Sequence, residues 1–146
     1  MNVFKGRTKI DFDAAHRLLE YNGKCSSPHG HTYQAEVTIE TPDLDNLGLS
    51  IDFGDVKKPL KTWVDKYWDH AFLLNSEDEV LISALAAIQE SKIYKFDGRN
   101  PSAEVMAETL YSVMFEELGS AVASVRIWEG ASSYAEYSPN HSVKVE

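Results

Sequence analysis

Cys25-Ser-Ser-Pro-His29-Gly-His31, followed at once by Thr32-Tyr-Gln-Ala-Glu-Val-Thr-Ile-Glu-Thr41, is the stretch from which the rest of the chain can be read. Its second part alternates with period two. Tyr33, Ala35, Val37 and Ile39 share one face, while Gln34, Glu36, Thr38 and Glu40 share the other. The pattern predicts a strand with one buried face. His29 and His31 have the parity of the apolar set, so a strand that begins by His29 sends both imidazoles to the core side, at its rim. Two histidines one residue apart on a strand make a metal pincer, and neutral imidazole is the commonest metal ligand.

Upstream, residues 3–15 read as a first strand with Ile10, Phe12 and Ala14 on one face, and His16 continues that parity. Residues 17–28 form the connecting loop, with a turn at Asn22-Gly23, and carry Cys25. Downstream, Val56, Leu60, Trp63, Val64 and Tyr67 make a helical stripe, with Pro59 expected in the first turn or marking the helix's true start. Residues 77–98 read as a helical insertion whose acidic opening, Glu77-Asp78-Glu79, is a solvated helix start. Asn100-Pro101-Ser-Ala-Glu104 opens a second main helix, with Asn100 as N-cap, a stripe at Val105, Met106, Leu110, Val113 and Met114, and a stop at Gly119. Ala123, Val125 and Ile127 alternate in a third strand whose apolar face ends in Glu129, and residues 134–137 can form a fourth. The order is ββ–αα–ββ, an α+β chain.

A length of 146 residues fits one domain, 1–146, able to bury a core. Fourteen basic residues against 23 acidic ones give a net charge of −9, which argues against nucleic acid and acidic membrane surfaces as partners. There is no apolar run of membrane-span length, and residues 1–7 do not form a signal peptide. The single cysteine excludes an internal disulfide and fits a reducing cytoplasm.

His16 alone reads first as a hydrogen-bonded core histidine. With His29 and His31 it suggests a three-histidine zinc site with one coordination position open, as in catalytic rather than structural sites. Cys25 is either an inert thiol or a thiolate in a polar loop four residues before a ligand. Asp69-His70 can end a helix, where a histidine complements the dipole, or form a relay in which the carboxylate orients the imidazole that takes a thiol proton. Glu129 either ends a strand in water or accepts two hydrogen bonds from an N–C–N edge such as that of a pterin or guanine. Burying such groups unpaired costs several kcal/mol, of the order of ~3, so their convergence on one pocket is expected.

Taken together, Phe12-Asp-Ala-Ala-His16-Arg17, the Cys25 to His31 run, Asp52-Phe53, Asp69-His70, Pro101-Ser-Ala-Glu104 and Trp128-Glu129 resemble the 6-pyruvoyltetrahydropterin synthase / 6-carboxytetrahydropterin synthase family. The resemblance spans nearly the whole chain apart from 77–98. It implies the tunnelling fold (T-fold): a four-stranded antiparallel sheet with two helices on one face, assembled as trimers whose sheets close a barrel, and trimers paired as hexamers. It implies zinc on His16, His29 and His31, Cys25 as proton acceptor helped by Asp69 and His70, and Glu129 as a catalytic residue that anchors the pterin ring or joins the proton relay, with Ser102 and Glu104 beside the substrate. Ser102 stands where threonine is usual.

The three-residue spacing from Cys25 to His29 resembles the bacterial carboxy enzymes; animal-type pyruvoyl enzymes have a longer gap. The resemblance therefore implies conversion of 7,8-dihydroneopterin triphosphate to 6-carboxy-5,6,7,8-tetrahydropterin, acetaldehyde and triphosphate, on the path to 7-deazaguanines such as queuosine. The alternatives are pyruvoyl synthase, a non-catalytic pterin- or purine-binding protein on the same scaffold, and a metal hydrolase with an His-x-His pincer. Against the last, an amidohydrolase barrel needs about 250 residues, and a cupin has no need of two substantial helices.

Overall fold

A computed structural model describes residues 3–139, which form six strands and three α-helices. The chain runs β1 (Phe4–His16), β2 (His29–Thr41), α1 (Phe53–Tyr67), β3 (Phe72–Asn75), α2 (Glu79–Ala86), β4 (Ile93–Phe96), α3 (Ala103–Leu118), β5 (Val122–Glu129) and β6 (Tyr134–Tyr137). The sheet order is β4-β3-β1-β2-β5-β6. β1, β2, β5 and β6 are the expected four antiparallel strands.

The expected four strands are thus six, and the sheet is mixed. β3 runs parallel to β1, and β4 parallel to β3. A parallel neighbour needs a crossover, and α2 supplies it between β3 and β4. Residues 77–98 are therefore not simply helical: they hold α2 and then a strand. Four-residue strands such as Phe72–Asn75 carry too little alternation to be told from a helix end.

The two long helices share one face of the sheet. Val56, Leu60 and Val64 of α1 and Met106, Leu110 and Met114 of α3 pack into one core with Ile10, Phe12, Tyr33, Ala35, Val37, Val125 and Ile127. Successive strand residues point to opposite faces, and β3 uses both. Leu73 joins this main core, whereas Leu74 joins Leu81 and Leu85 of α2 in a second cluster. α2 therefore covers the other face of the sheet. A register shift at Thr38/Ile39 displaces Ala123 from the alternation expected of it but leaves Val125, Ile127 and Glu129 in phase.

Helix starts also differ in detail from expectation. α1 begins at Phe53, capped by Asp52 through the Gly54 N–H at 2.8 Å, so Pro59 lies inside the helix rather than in its first turn. Ser102, not Asn100, caps α3, its hydroxyl oxygen accepting from the Val105 N–H at 3.2 Å. Gly119 ends α3 in the left-handed region, φ 67°, where a side chain is disfavoured. Asp78 is buried, not solvated: it caps α2 and accepts a two-pronged ion pair from Arg17, the residue after His16. The Arg17 hydrogen bonds hold its carboxyl below the usual range.

Removing only the cation would leave a buried carboxylate unpaired. Arg17→Met should lower the unfolding free energy by about 3 kcal/mol, and Arg17→Met with Asp78→Leu should recover part of that loss. Urea denaturation of the two variants measures both.

Candidate metal centre and active site

The β1–β2 register sets His16 directly opposite His29, and His31 opposite Ala14. Directly opposed residues share a face, so all three imidazoles stand on the helix-covered side at one end of the sheet. Ring centroids are 4.7 Å apart for His16 and His29, 5.1 Å for His16 and His31, and 4.8 Å for His29 and His31. A nitrogen of each ring lies within 4.8 Å of the others. The β2–β5 register places Glu129 opposite Tyr33, on the same face. Its carboxylate oxygens stand 3.9 Å from His16 Nε2 and 3.9 Å from His31 Nε2.

Backbone carbonyls fix two of the tautomers. His16 Nδ1 is 2.7 Å from the Pro101 oxygen and His29 Nδ1 is 2.6 Å from the Ser27 oxygen. A carbonyl only accepts, so each Nδ1 carries the proton and each Nε2 turns a lone pair inward. These two Nε2 atoms face each other at 3.1 Å with no proton between them. The His31 Nε2 is buried without a hydrogen-bond partner. Lone pairs converging beside a carboxylate repel one another and suit a divalent cation; three nitrogen donors leave a coordination position for substrate. The residues fit a catalytic metal.

His16 is 2% exposed. Burial first, and then the neighbouring His29 and His31, lower its pKa to about 4 against the raising effect of the Pro101 carbonyl. The neutral, metal-binding form is therefore the resting one.

A cavity of about 220 Å³ opens beside the cluster, lined in part by His16, Cys25, Ser102, Glu104, Glu129 and Tyr134. Cys25 is half-buried in a short 3₁₀ turn (Lys24–Ser26), its carbonyl accepting from the Leu18 N–H at 2.7 Å. Asn100 brackets the neighbouring residue, accepting from the Leu19 N–H at 2.9 Å and donating to its carbonyl at 3.0 Å. Loop 17–28 is so fastened to the entrance of α3. The sequence brings His16, His29, His31, Cys25, Glu129, Ser102 and Glu104 into one place.

Asp69 and His70 lie elsewhere within the chain. Asp69 Oδ2 is 2.9 Å from His70 Nδ1, the carboxylate–imidazole pairing expected of a relay. The pair follows α1 beside a second cavity, of about 630 Å³, lined by His70 and by His31 of the cluster, with Asp13, Ala15, Thr32 and Leu85 among others. Asp13, Ala15 and Thr32 have the parity of the opposite sheet face. The His70 side chain is 77% exposed.

One residue at the site had a signal that the sequence reading assigned only to packing. Tyr33 shares the parity of His31, and its ring centroid is 5.2 Å from that imidazole. Its buried hydroxyl has no hydrogen-bond partner. Burial, then the charges of Glu129 and Cys25, push its acidity far down, so it stays protonated as a donor.

The comparisons with known proteins agree with this architecture. The family model described as 6-pyruvoyl tetrahydropterin synthase matches residues 5–140. A protein of Rickettsia conorii named 6-carboxy-5,6,7,8-tetrahydropterin synthase is 33% identical over 138 residues, covering 92% of this chain and 99% of its own. The Haemophilus influenzae protein of the same name is 33% identical over 141 residues, with coverage of 92% and 99%. Among solved structures, an uncharacterised Wolinella succinogenes protein has a TM-score of 0.81 at 19% identity, covering 96% of this chain and 100% of that one. Caenorhabditis elegans 6-pyruvoyl tetrahydropterin synthase has a TM-score of 0.69 at 20% identity, with coverage of 96% and 98%. The fold is the tunnelling fold of pterin-synthase lyases. The chain belongs to the 6-pyruvoyl tetrahydropterin synthase family.

The depressed His16 pKa fixes the sign of a pH effect. A histidine held neutral when folded contributes no penalty above its unfolded pKa near 6.5 and destabilises progressively as pH falls towards about 4. Metal-free protein should lose stability in urea between pH 6.5 and 4, and His16→Gln should flatten that part of the profile.

Proposed function

We propose that the chain is a zinc-dependent carbon–carbon lyase. It converts 7,8-dihydroneopterin triphosphate to 6-carboxy-5,6,7,8-tetrahydropterin, releasing acetaldehyde and triphosphate, as a step towards 7-deazaguanines such as queuosine. The observation that carries this reading is the convergence of the His16, His29 and His31 nitrogens on one point, with His16 also lining the cavity that holds Cys25 and Glu129. The names of the Rickettsia and Haemophilus relatives support the carboxy product.

His16 and His29 hold the metal through the Nε2 atoms that the Pro101 and Ser27 carbonyls leave bare, and His31 through its unpartnered Nε2. When bound, zinc supplies a Lewis acid that polarises a side-chain oxygen of the substrate and acidifies its neighbouring C–H and O–H groups. Cys25, on the cavity wall, accepts a proton there. Glu129 accepts hydrogen bonds from the amidine edge of the pterin. Glu104 lies beside it at the start of α3, and Ser102, whose oxygen is engaged as helix cap, keeps its O–H to donate. Asp69 holds the His70 ring for proton transfer.

Because Asp69 and His70 do not line the Cys25 cavity of their own chain, the relay requires a second copy. Among the described residues, Phe4–Phe12 of β1 have no strand partner on the edge that β3 leaves open, and β6 has a free edge of its own. Pairing such edges between copies closes the sheet into a barrel and removes an aggregation hazard. We assign the protein to homotrimers, paired as hexamers. No helix among the described residues is long and apolar enough to cross a membrane, and the lone thiol fits the reducing cytoplasm.

Mass spectrometry of the product from 7,8-dihydroneopterin triphosphate tests the reading. The expected product is 6-carboxytetrahydropterin with acetaldehyde; one retaining the three-carbon side chain makes the protein a pyruvoyl synthase, the activity in the matched family's description. Binding without turnover in zinc-loaded protein makes it a pterin-binding scaffold. Cys25→Ala should lower turnover by about a thousandfold with zinc content unchanged; full activity in that variant removes Cys25 from the chemistry.

A further inference from the structure

Lys92 stands just before β4, in the segment that expectation treated as an insertion. Its ammonium donates to the Asp65 carbonyl at 2.8 Å and to the Asp69 carbonyl at 2.7 Å. Its own carbonyl accepts from the Phe72 N–H at 2.8 Å. One residue thus grips both sides of the Asp69-His70 turn.

The turn needs such a grip. α1 ends irregularly: the N–H groups of Trp68 and Asp69 both go to the Val64 carbonyl, at 2.9 and 2.8 Å. Asp65 is thereby denied the N–H that a continuing helix would give it, at the negative end of the helix dipole. His70 then adopts φ 59°, a left-handed conformation that a side-chain-bearing residue keeps only when its surroundings impose it. The His70 N–H donates to the Asp13 carbonyl at 2.7 Å, and Asp69 Oδ1 accepts from the Asp13 N–H at 3.1 Å. Those contacts hold the turn from the β1 side. Lys92 holds it from the other, with a charge matched to two carbonyls that α1 leaves unserved.

We propose that Lys92 is a positioning residue for the Asp69–His70 pair, fixing through its ammonium the turn from which that pair is presented. The segment between β3 and α3 then acts on turnover through this side chain. The inference rests on the reading of the pair as a proton relay. Burial alone would raise the Asp69 carboxyl, but the Asp13 N–H, His70 and the Lys92 charge together bring it below the usual range, so it stays ionised to orient His70.

A cap serving stability alone predicts something different, and the two separate in zinc-loaded, full-length protein. Lys92→Met is compared with Lys92→Arg and with Asp52→Ala, which removes the cap at the other end of the same helix. In Lys92→Met, kcat for 7,8-dihydroneopterin triphosphate should fall about tenfold or more, with KM within about twofold and zinc content unchanged. Lys92→Arg should restore about a third of the rate or more, and Asp52→Ala should keep kcat within about twofold despite its lower melting temperature. Amide exchange at His70 should be about tenfold faster in Lys92→Met than in Asp52→Ala. Wild-type kcat in Lys92→Met, an equal loss in Asp52→Ala, or unchanged His70 exchange each overturns the proposal. If Lys92→Met does not fold, Lys92→Gln, which keeps one donor, carries the same comparison. Should the wild-type protein show no turnover at all, the proposed function fails separately, and His70 exchange still decides whether Lys92 holds the turn.

Discussion

Everything at the candidate centre depends on the antiparallel register between β1 and β2. His16 meets His29 because Ala14 meets His31 and Phe12 meets Tyr33, an unbroken ladder back to Phe4 and Thr41. A slip of one residue would turn every side chain of one strand to the wrong face, and the imidazoles would part. The buried face enforces the register, since the same slip would expose Phe12 or Tyr33, which are 3% and 0% exposed and stack at 5.1 Å. Core packing and ligand geometry are therefore one constraint. The irregularity between Thr38 and Ile39 lies towards the other end of β2, so the ladder from Ser124 to Glu129 reaches the site undisturbed.

Around the end of β1, two buried polar side chains are each met by a specific partner. His16 stays neutral and donates its Nδ1–H to the Pro101 carbonyl. One residue on, Arg17 neutralises Asp78, which also caps α2, so the end of β1 is fastened to the far side of the sheet. These two neighbours tie the strand end to α3 and to α2, one on each face. His16 at that end is held from both layers, which suits a cluster whose nitrogens must keep their spacing.

Much of this was legible in the sequence, and the reason is parity. Alternation placed His16 with Phe12 and Ala14, His29 and His31 with Tyr33, and Glu129 with Val125 and Ile127, and the structure keeps all three groupings. Helical stripes found α1 and α3 for the same reason. What escaped were features without period. Phe72–Asn75 and Ile93–Phe96 are too short to alternate visibly, so the sheet gained two strands. The partners that set the imidazole tautomers are backbone oxygens of Ser27 and Pro101, which carry no residue-type signal. Asp78 resembled its exposed neighbours because only the fold brings Arg17 to it. The cap of α3 moved from Asn100 to Ser102 because the Asn100 amide is committed to Leu19.

That last commitment reaches beyond the helix start. The Asn100 amide lies against Leu19 as a paired strand would, and Leu18 in turn binds the Cys25 carbonyl. The place of Cys25 is therefore set in part from the β1 side of the loop, by a clasp between segments 81 positions apart. The short side of the loop is fastened as well, the Ser27 N–H donating to the Lys24 carbonyl at 3.1 Å and the Ser27 carbonyl accepting from His29, so a change of length there would move thiol and imidazole together.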